Sequence, residues 1–487
     1  MKYYLGADVG TTSVKVVAFD AEGEILARHT CAYEMIHRKP DWSEQDPDLI
    51  FRSFIAAINK VYSSLPSGKP VLISFSAAMH SLMAVDENGQ PLTSCIIWAD
   101  NRSAAYAEAL NESPTGKDFY QRTGVPIHAM SPFCKLLWLK EHEPVIFASA
   151  YKFIGIKEYI FYKLTGSFVI DTSLASATGL LNLHSLQWDE KILLHAGISA
   201  EKLSTLVDVT AQFTLKPAEA LMATPLLTPM DTPLVIGGSD GASANISAGI
   251  YDESALVVTI GTSSAVRMLS KTPYTDRFMR TFCFHAVGEY YINGGASNNG
   301  AVVLDWLKNN LIDSKQEMGE FLGAAAAVPA GCDGLLFLPY ILGERAPIWD
   351  AQAKGVFYGL SVTHQQAHMI RAAIEGVIFG LYSFGKVILE KKPVREIYAT
   401  GGFARNALWV QVLADVFNLP VRVNGSEESS AWGAVLNGLA SFGITPPSAT
   451  QSVQLFQPDM DCHLIYQPIC ERFERITALL TPEFHHQ

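Results

Sequence analysis

Two stretches of this chain repeat one local pattern about half its length apart. Residues 6–17, GADVGTTSVKVV, and residues 257–268, VVTIGTSSAVRM, each pass from apolar residues through a glycine and hydroxyl side chains into apolar residues again. Gly10 and Gly261 lie 251 residues apart in a chain of 487. That period is far too long for a solenoid and predicts two related domains facing each other. After Ser13 the chain continues Val14, Lys15, Val16, Val17, a second strand rather than the helix that follows a Walker-type phosphate loop. A hairpin is therefore expected, in which Gly10 can take angles closed to other residues. Backbone N–H groups and the hydroxyls of Thr11, Thr12 and Ser13, with Lys15 beside them, would then meet one anion. Asp8 stands where a Mg²⁺ carried by a phosphate needs an oxygen. For one copy taken alone, a ligand-free Gly-Thr hairpin is the better reading. Two copies, the second with Gly261 and Thr262, favour turns that clamp one polyphosphate from opposite sides.

A chain of this length exceeds what one core supports, and with 49% apolar and 17% charged residues it can bury several. A net charge of −12 argues against a nucleic-acid partner, which demands a basic footprint. Seven scattered cysteines without a C-x-x-C pair suit a reducing cytoplasm. No apolar stretch precedes Asp8 to serve as a signal peptide. The most apolar segment, residues 321–342, carries Pro329, Asp333 and Pro339, and reads as a loop and a buried strand rather than a membrane span.

Strand and helix patterns alternate, the mark of α/β architecture. Residues 71–77, 233–240 and 396–402 read as buried strands ending in small or polar residues, where ligands gather in such sheets. Residues 48–62 and 365–388 read as long helices. The expected division is a first domain over 1–246, a second over 247–445, and a tail over 446–487 that packs on them. A third candidate turn follows the strand at 396–402. Gly401 and Gly402 would let a flat adenine approach the backbone and Asn406 would hydrogen-bond it, although a tight strand-to-helix turn explains the glycines equally.

Two further stretches carry a family resemblance. Residues 130–142, MSPFCKLLWLKEH, hold Pro132, Lys135 and Trp138, and residues 355–376, GVFYGLSVTHQQAHMIRAAIEG, hold Gly359, His368, Ala372 and Glu375. Together with the three turns, in order, they make the chain resemble the FGGY family of carbohydrate kinases over nearly all of residues 3–445. The resemblance implies two ribonuclease-H-like, actin-like ATPase domains with ATP, Mg²⁺ and sugar meeting in the cleft between them. It implies that Asp240, in GGSDGAS (237–243), takes the proton of the attacking hydroxyl and joins Asp8 near the metal. Gly300 is grouped with the nucleotide-binding residues. Without the family, Asp240 would read as a turn or helix-cap residue.

SAAMHS (76–81) and WADNR (98–102) match the family's substrate-side segments, placing Met79, His80, Trp98, Asp100 and Arg102 at the sugar. Trp98, Asp100 and Arg102 alternate, so on an extended stretch they share a face. Ala78 stands where xylulose kinases carry glutamine, and the substrate-side segments most resemble gluconate kinases. A sugar acid needs a cation, for which Arg102 comes first and His80 and Lys157 follow. Arg345 and Glu344 read equally well as a structural ion pair. The expected partners are thus ATP and a small sugar acid, with neither nucleic acid nor membrane, and a homodimer is allowed. The alternatives are a kinase for another polyol or ketose, and an actin- or chaperone-like ATPase without a sugar.

Overall fold

The computed structural model describes residues 2–66, 68–111, 113–216, 225–249, 253–424, 428–444 and 453–485. Two main sheets organise it. The first contains β1 (Lys2–Val9), β2 (Ser13–Phe19), β3 (Ile25–Ala32), β4 (Lys69–Ala77), β5 (Gln212–Phe213) and β6 (Leu234–Ser239), in the order β5-β6-β4-β1-β2-β3. The second contains β7 (Ala255–Ile260), β8 (Ser264–Ser270), β9 (Phe282–Val287), β10 (Tyr290–Ser297), β11 (Glu396–Thr400), β12 (Val421–Asn424) and β13 (Val453–Phe456), in the order β9-β10-β8-β7-β11-β12-β13. In each sheet a three-stranded antiparallel meander joins two parallel strands: β3-β2-β1-β4-β6 in the first and β10-β8-β7-β11-β12 in the second. The repeated turn is thus the outward sign of a repeated sheet.

The helices used below are α1 (Pro47–Ser64), α2 (Pro132–His142), α3 (Ile156–Thr165), α4 (Asp240–Ser247), α5 (Gln366–Leu389), α6 (Ala407–Phe417), α7 (Ser429–Ser441) and α8 (Met460–Leu480). Helix α1 begins where Asp46 accepts the N–H groups of Asp48 and Leu49, with Pro47 in the first turn. Its apolar face, including Phe51, Phe54 and Ile58, covers one side of the first sheet, where Phe54 stacks on Phe75 at 5.3 Å. Helix α5 is long and apolar enough to cross a bilayer, yet 83% of its most apolar stretch is buried within this fold, beneath the second sheet.

Helix α7 comes late in sequence but packs on the other face of the first sheet, and small residues make this possible. Ser74 Oγ donates to the Ala434 carbonyl at 2.6 Å, and a Cβ on Gly433 would stand 1.9 Å from the Ser243 carbonyl oxygen. The tail is built into the second core: β13 extends its sheet, and α8 buries Tyr466, Phe473 and Ile476. The segment read as a loop before residue 336 is instead largely helical, over Met318–Gly323 and two 3₁₀ turns, as its alanine run favours; the buried strand follows at Leu336–Pro339. All seven cysteines are unpaired.

Candidate active site

Both turns project from the carboxyl ends of central strands. In the first, the Gly10 N–H donates to the Ser13 carbonyl at 2.9 Å, and the turn is braced by Tyr33, whose hydroxyl donates to the Gly10 carbonyl at 2.5 Å. Trp98 Nε1 donates to Thr11 Oγ1 at 2.9 Å. In the second, the Gly261 N–H donates to the Ser263 carbonyl at 2.9 Å, and Gly300 docks beneath, its N–H on the Thr262 carbonyl at 3.1 Å. Each leading glycine therefore spends its amide inside its own turn, and the hydroxyl residues that follow are the donors left for a ligand. A Cβ on Gly300 would come within 2.6 Å of the Gly261 and Ser263 carbonyl oxygens, so that glycine is required by packing. A Cβ on Gly261 would meet nothing within 4 Å. Gly401 and Gly402 follow β11, the parallel neighbour of β7, which sets them beside the second turn. Gly401 has φ +98° and lies against the Ile260 carbonyl, whereas Gly402 faces open space. Asn406 caps α6, its side-chain oxygen accepting the Trp409 N–H at 3.0 Å.

Two carboxylates approach from the first sheet. Asp8 sits on β1, paired across to Lys15 and to Ser76 of β4. Asp240 opens α4 just beyond β6, where Ser239 Oγ accepts the Ala242 N–H at 3.2 Å and Asp240 Oδ1 accepts the Gly241 N–H at 2.7 Å. Burial, and then repulsion from Asp240, pushes Asp8 up to about 7. Burial also raises Asp240, opposed by the nearby charges of Arg267 and Arg345. Asp8 Oδ1 is buried without a hydrogen-bond partner. An orphaned carboxylate oxygen beside a second carboxylate fits a Mg²⁺ that keeps most of its waters and takes phosphate oxygens. Among the described residues no cluster of three or more metal-ligating side chains exists, so an all-protein metal cage is not what this site offers.

The cleft beside Asp240 is lined by Met79, His80 and Trp98 from the first half and by Ala265, Arg267 and Arg345 from the second. His80 has φ +69° and bonds the Ala177 carbonyl through Nδ1 at 2.8 Å. Burial, reinforced by Lys135, lowers it to about 3, so it meets ligands as a neutral imidazole. The Arg345 guanidinium lies 4.9 Å from the Trp98 ring centroid and donates to the Ser297 carbonyl at 2.9 Å. Glu344 is bound separately by Ser297, Asn298 and Asn299 and by the Arg345 backbone N–H, so of the two readings of Glu344 and Arg345 the side-chain ion pair is not the one formed.

Three sequence expectations need correction. Arg102 makes a buried ion cluster, donating to Glu44 at 2.6 Å and to both Asp100 oxygens at 2.8 Å, with its guanidinium 3.7 Å from the Trp42 ring centroid. Asp100, fully buried, also accepts the Ser43 N–H at 2.6 Å, and neither residue lines the cleft beside Asp240. Lys157 on α3 pairs with Asp171 at 2.8 Å and donates to the carbonyls of Gly237 and Gly238 at 3.0 Å, fastening β6 rather than a ligand. The alternation from Trp98 to Arg102 misled because residues 98–102 form a turn, not a strand. Lys15 is also engaged, with Glu428 at 2.8 Å. Arg267 was missed although it lies inside the second repeated motif; its alternation with Ala265 along β8 is the signal that puts both on the cleft face.

The FGGY carbohydrate kinase N-terminal domain matches residues 3–247 and the C-terminal domain of the same family matches residues 256–442. The chain belongs to the FGGY family of carbohydrate kinases. This FGGY kinase is an ATP:sugar phosphotransferase with the two-domain, ribonuclease-H-like architecture of the actin-like ATPases. It is 44% identical to a gluconokinase of Bacillus licheniformis, over 91% of this chain and 88% of that one. The crystal structure of a gluconate kinase from Lactobacillus acidophilus superimposes with a TM-score of 0.93 at 35% identity, covering 98% of both chains. A ligand-bound xylulose kinase from the same organism superimposes with a TM-score of 0.94 at 34% identity, covering 99% of both. Backbone shape is thus common to both substrate classes in this family.

Proposed function

We propose that this FGGY kinase transfers the γ-phosphoryl group of ATP to D-gluconate, giving 6-phospho-D-gluconate and ADP. The observation that carries the choice of sugar is the 44% identity to a gluconokinase over 91% of this chain, against 31% to a xylulose kinase over the same share. In this reading the C6 hydroxyl attacks the γ-phosphorus, its proton passes to the Asp240 carboxylate, and the bond to the β-phosphate oxygen breaks. Phosphoryl transfer of this kind depends on positioning and charge neutralisation. The nearby positive charge of Arg267 and Arg345 opposes the upward shift that burial gives Asp240, in the direction a base requires. Thr11, Thr12 and Ser13 on one side, and Thr262 and Ser263 on the other, hold the polyphosphate. Gly401 and Gly402 leave room for adenosine. Met79, His80 and Trp98 line the sugar. Asp8 and Asp240 would hold Mg²⁺, which supplies charge neutralisation on the phosphates when bound. Seven unpaired cysteines fit a reducing cytoplasm as the setting.

The test is ADP release with D-gluconate, D-xylulose and glycerol as acceptors. D-Gluconate is expected to give the highest kcat/KM. Equal use of D-xylulose removes the choice of sugar while leaving the kinase intact.

A further inference from the structure

With Arg102 and Lys157 committed elsewhere, a sugar acid must find another cation. We propose that Arg267 receives the carboxylate of the substrate and so sets the preference for an acid over a neutral polyol. This rests on the gluconate reading above.

Arg267 occupies β8 in the middle of the second sheet, a rigid element, and its side chain lines the cleft together with Ala265 and Phe282. Its Nε is buried and has no hydrogen-bond partner, while Nη1 has only a long bond of 3.3 Å to Thr259 Oγ1. Asp240 acts on it through space, and no ion pair joins the two among the described residues. A guanidinium in such surroundings is costly unless an anion comes to it. Arg345, the other arginine in the cleft, also has a buried Nε without a hydrogen-bond partner, but its guanidinium already faces the Trp98 ring and its Nη2 donates to the Ser297 carbonyl at 2.9 Å, a shorter bond than any Arg267 makes. Room at Arg267 is kept by Gly241, where a Cβ would stand 3.2 Å from the guanidinium Nε and 3.3 Å from Met79 Cε. One end of the pocket therefore offers a base and the phosphate turns. Beside it lies an under-bonded fork suited to two carboxylate oxygens. Acceptor hydroxyl at Asp240 and carboxylate at Arg267 give an extended sugar acid one direction of entry.

The experiment compares D-gluconate with D-glucitol, which carries a neutral CH₂OH in place of the carboxylate. KM for D-gluconate and the competitive inhibition constant of D-glucitol are measured for wild type, Arg267→Met and Arg267→Lys, with ADP affinity and Tm as folding controls. Arg267→Met is expected to raise KM for D-gluconate by roughly ten- to a hundredfold, the worth of charged hydrogen bonds, while D-glucitol binding stays near wild type. Arg267→Lys, which keeps the charge and most of the volume, falls between. Equal losses for both ligands would mean that Arg267 serves Asp240 or the fold, and an undiminished preference for the acid would move the carboxylate to Arg345; either overturns the proposal. A wild type that does not phosphorylate D-gluconate at all defeats the functional reading first, before any variant is measured.

Discussion

In the first sheet the strand entering the phosphate turn carries Asp8, paired across to Lys15; in the second the equivalent pair is Thr259 with Ala265. The first turn holds four residues between the paired Val9 and Val14, and the second holds three between Ile260 and Ser264. Dropping one residue shifts the returning strand by one, which turns every later side chain to the other face. Matching the chains by their glycines therefore sets Arg267 against Val16, which packs under α1. Matching them by strand pairing sets it against Val17, on the opposite face and buried under α7. The same face is sealed by a helix in one sheet and opens onto the cleft in the other. The two sheets share one scaffold, and on the matching face the first carries Asp8 with Lys15 and Val17 where the second carries Thr259 with Ala265 and Arg267.

The largest expected effect tests that division at Asp240. Asp240→Asn should lower kcat by roughly 10² to 10⁴ with ADP affinity almost unchanged. A variant that keeps more than half the wild-type kcat would show that the first half does not supply the base.

Next is Arg102→Leu, which removes the ion-pair partner of the buried Asp100 and leaves Glu44 with only Arg38, at 3.5 Å. Stability should fall by about 3–5 kcal/mol, read as a drop in Tm, while KM for D-gluconate stays near wild type in the folded fraction. The reverse result, a raised KM at unchanged Tm, would return the carboxylate site to the first half.

Acid sensitivity should also be concentrated in the first half. His80 and His128, both driven to about 3 mainly by burial, are neutral when folded, whereas the unfolded chain protonates them near 6.5. As pH falls below 6.5 the unfolded state takes up these protons first, so stability declines from there towards pH 3. Each histidine contributes a slope of about 1.4 kcal/mol per pH unit. Tm followed from neutrality downward should fall less steeply in His128→Gln, and an identical slope would remove that residue from the account.

The smallest effect separates the two turns. Gly261→Val projects into open space and should weaken ADP binding by about tenfold with little change in Tm. Gly10→Val should lower Tm as well, because its Cβ meets the Ser13 carbonyl oxygen at 3.2 Å. Unchanged ADP affinity in Gly261→Val, measured by calorimetry, would take the second turn away from the polyphosphate.

Much of this was legible in the sequence. Both hairpins, the strands now seen at Lys69–Ala77, Leu234–Ser239 and Glu396–Thr400, and the long helices over Pro47–Ser64 and Gln366–Leu389 follow from local periodicity and turn chemistry. The five ordered motifs sufficed for the family, because each is written in contiguous residues. Tertiary structure alone decided which cations are free. Arg102 is occupied by Glu44, 58 residues away, and Lys157 by carbonyls 80 and 81 residues away. Arg267 faces the cleft because a turn one residue shorter sets its register. A side chain's face depends on how its strand pairs, and a buried charge's availability depends on what the fold brings beside it; neither is a property of the local sequence.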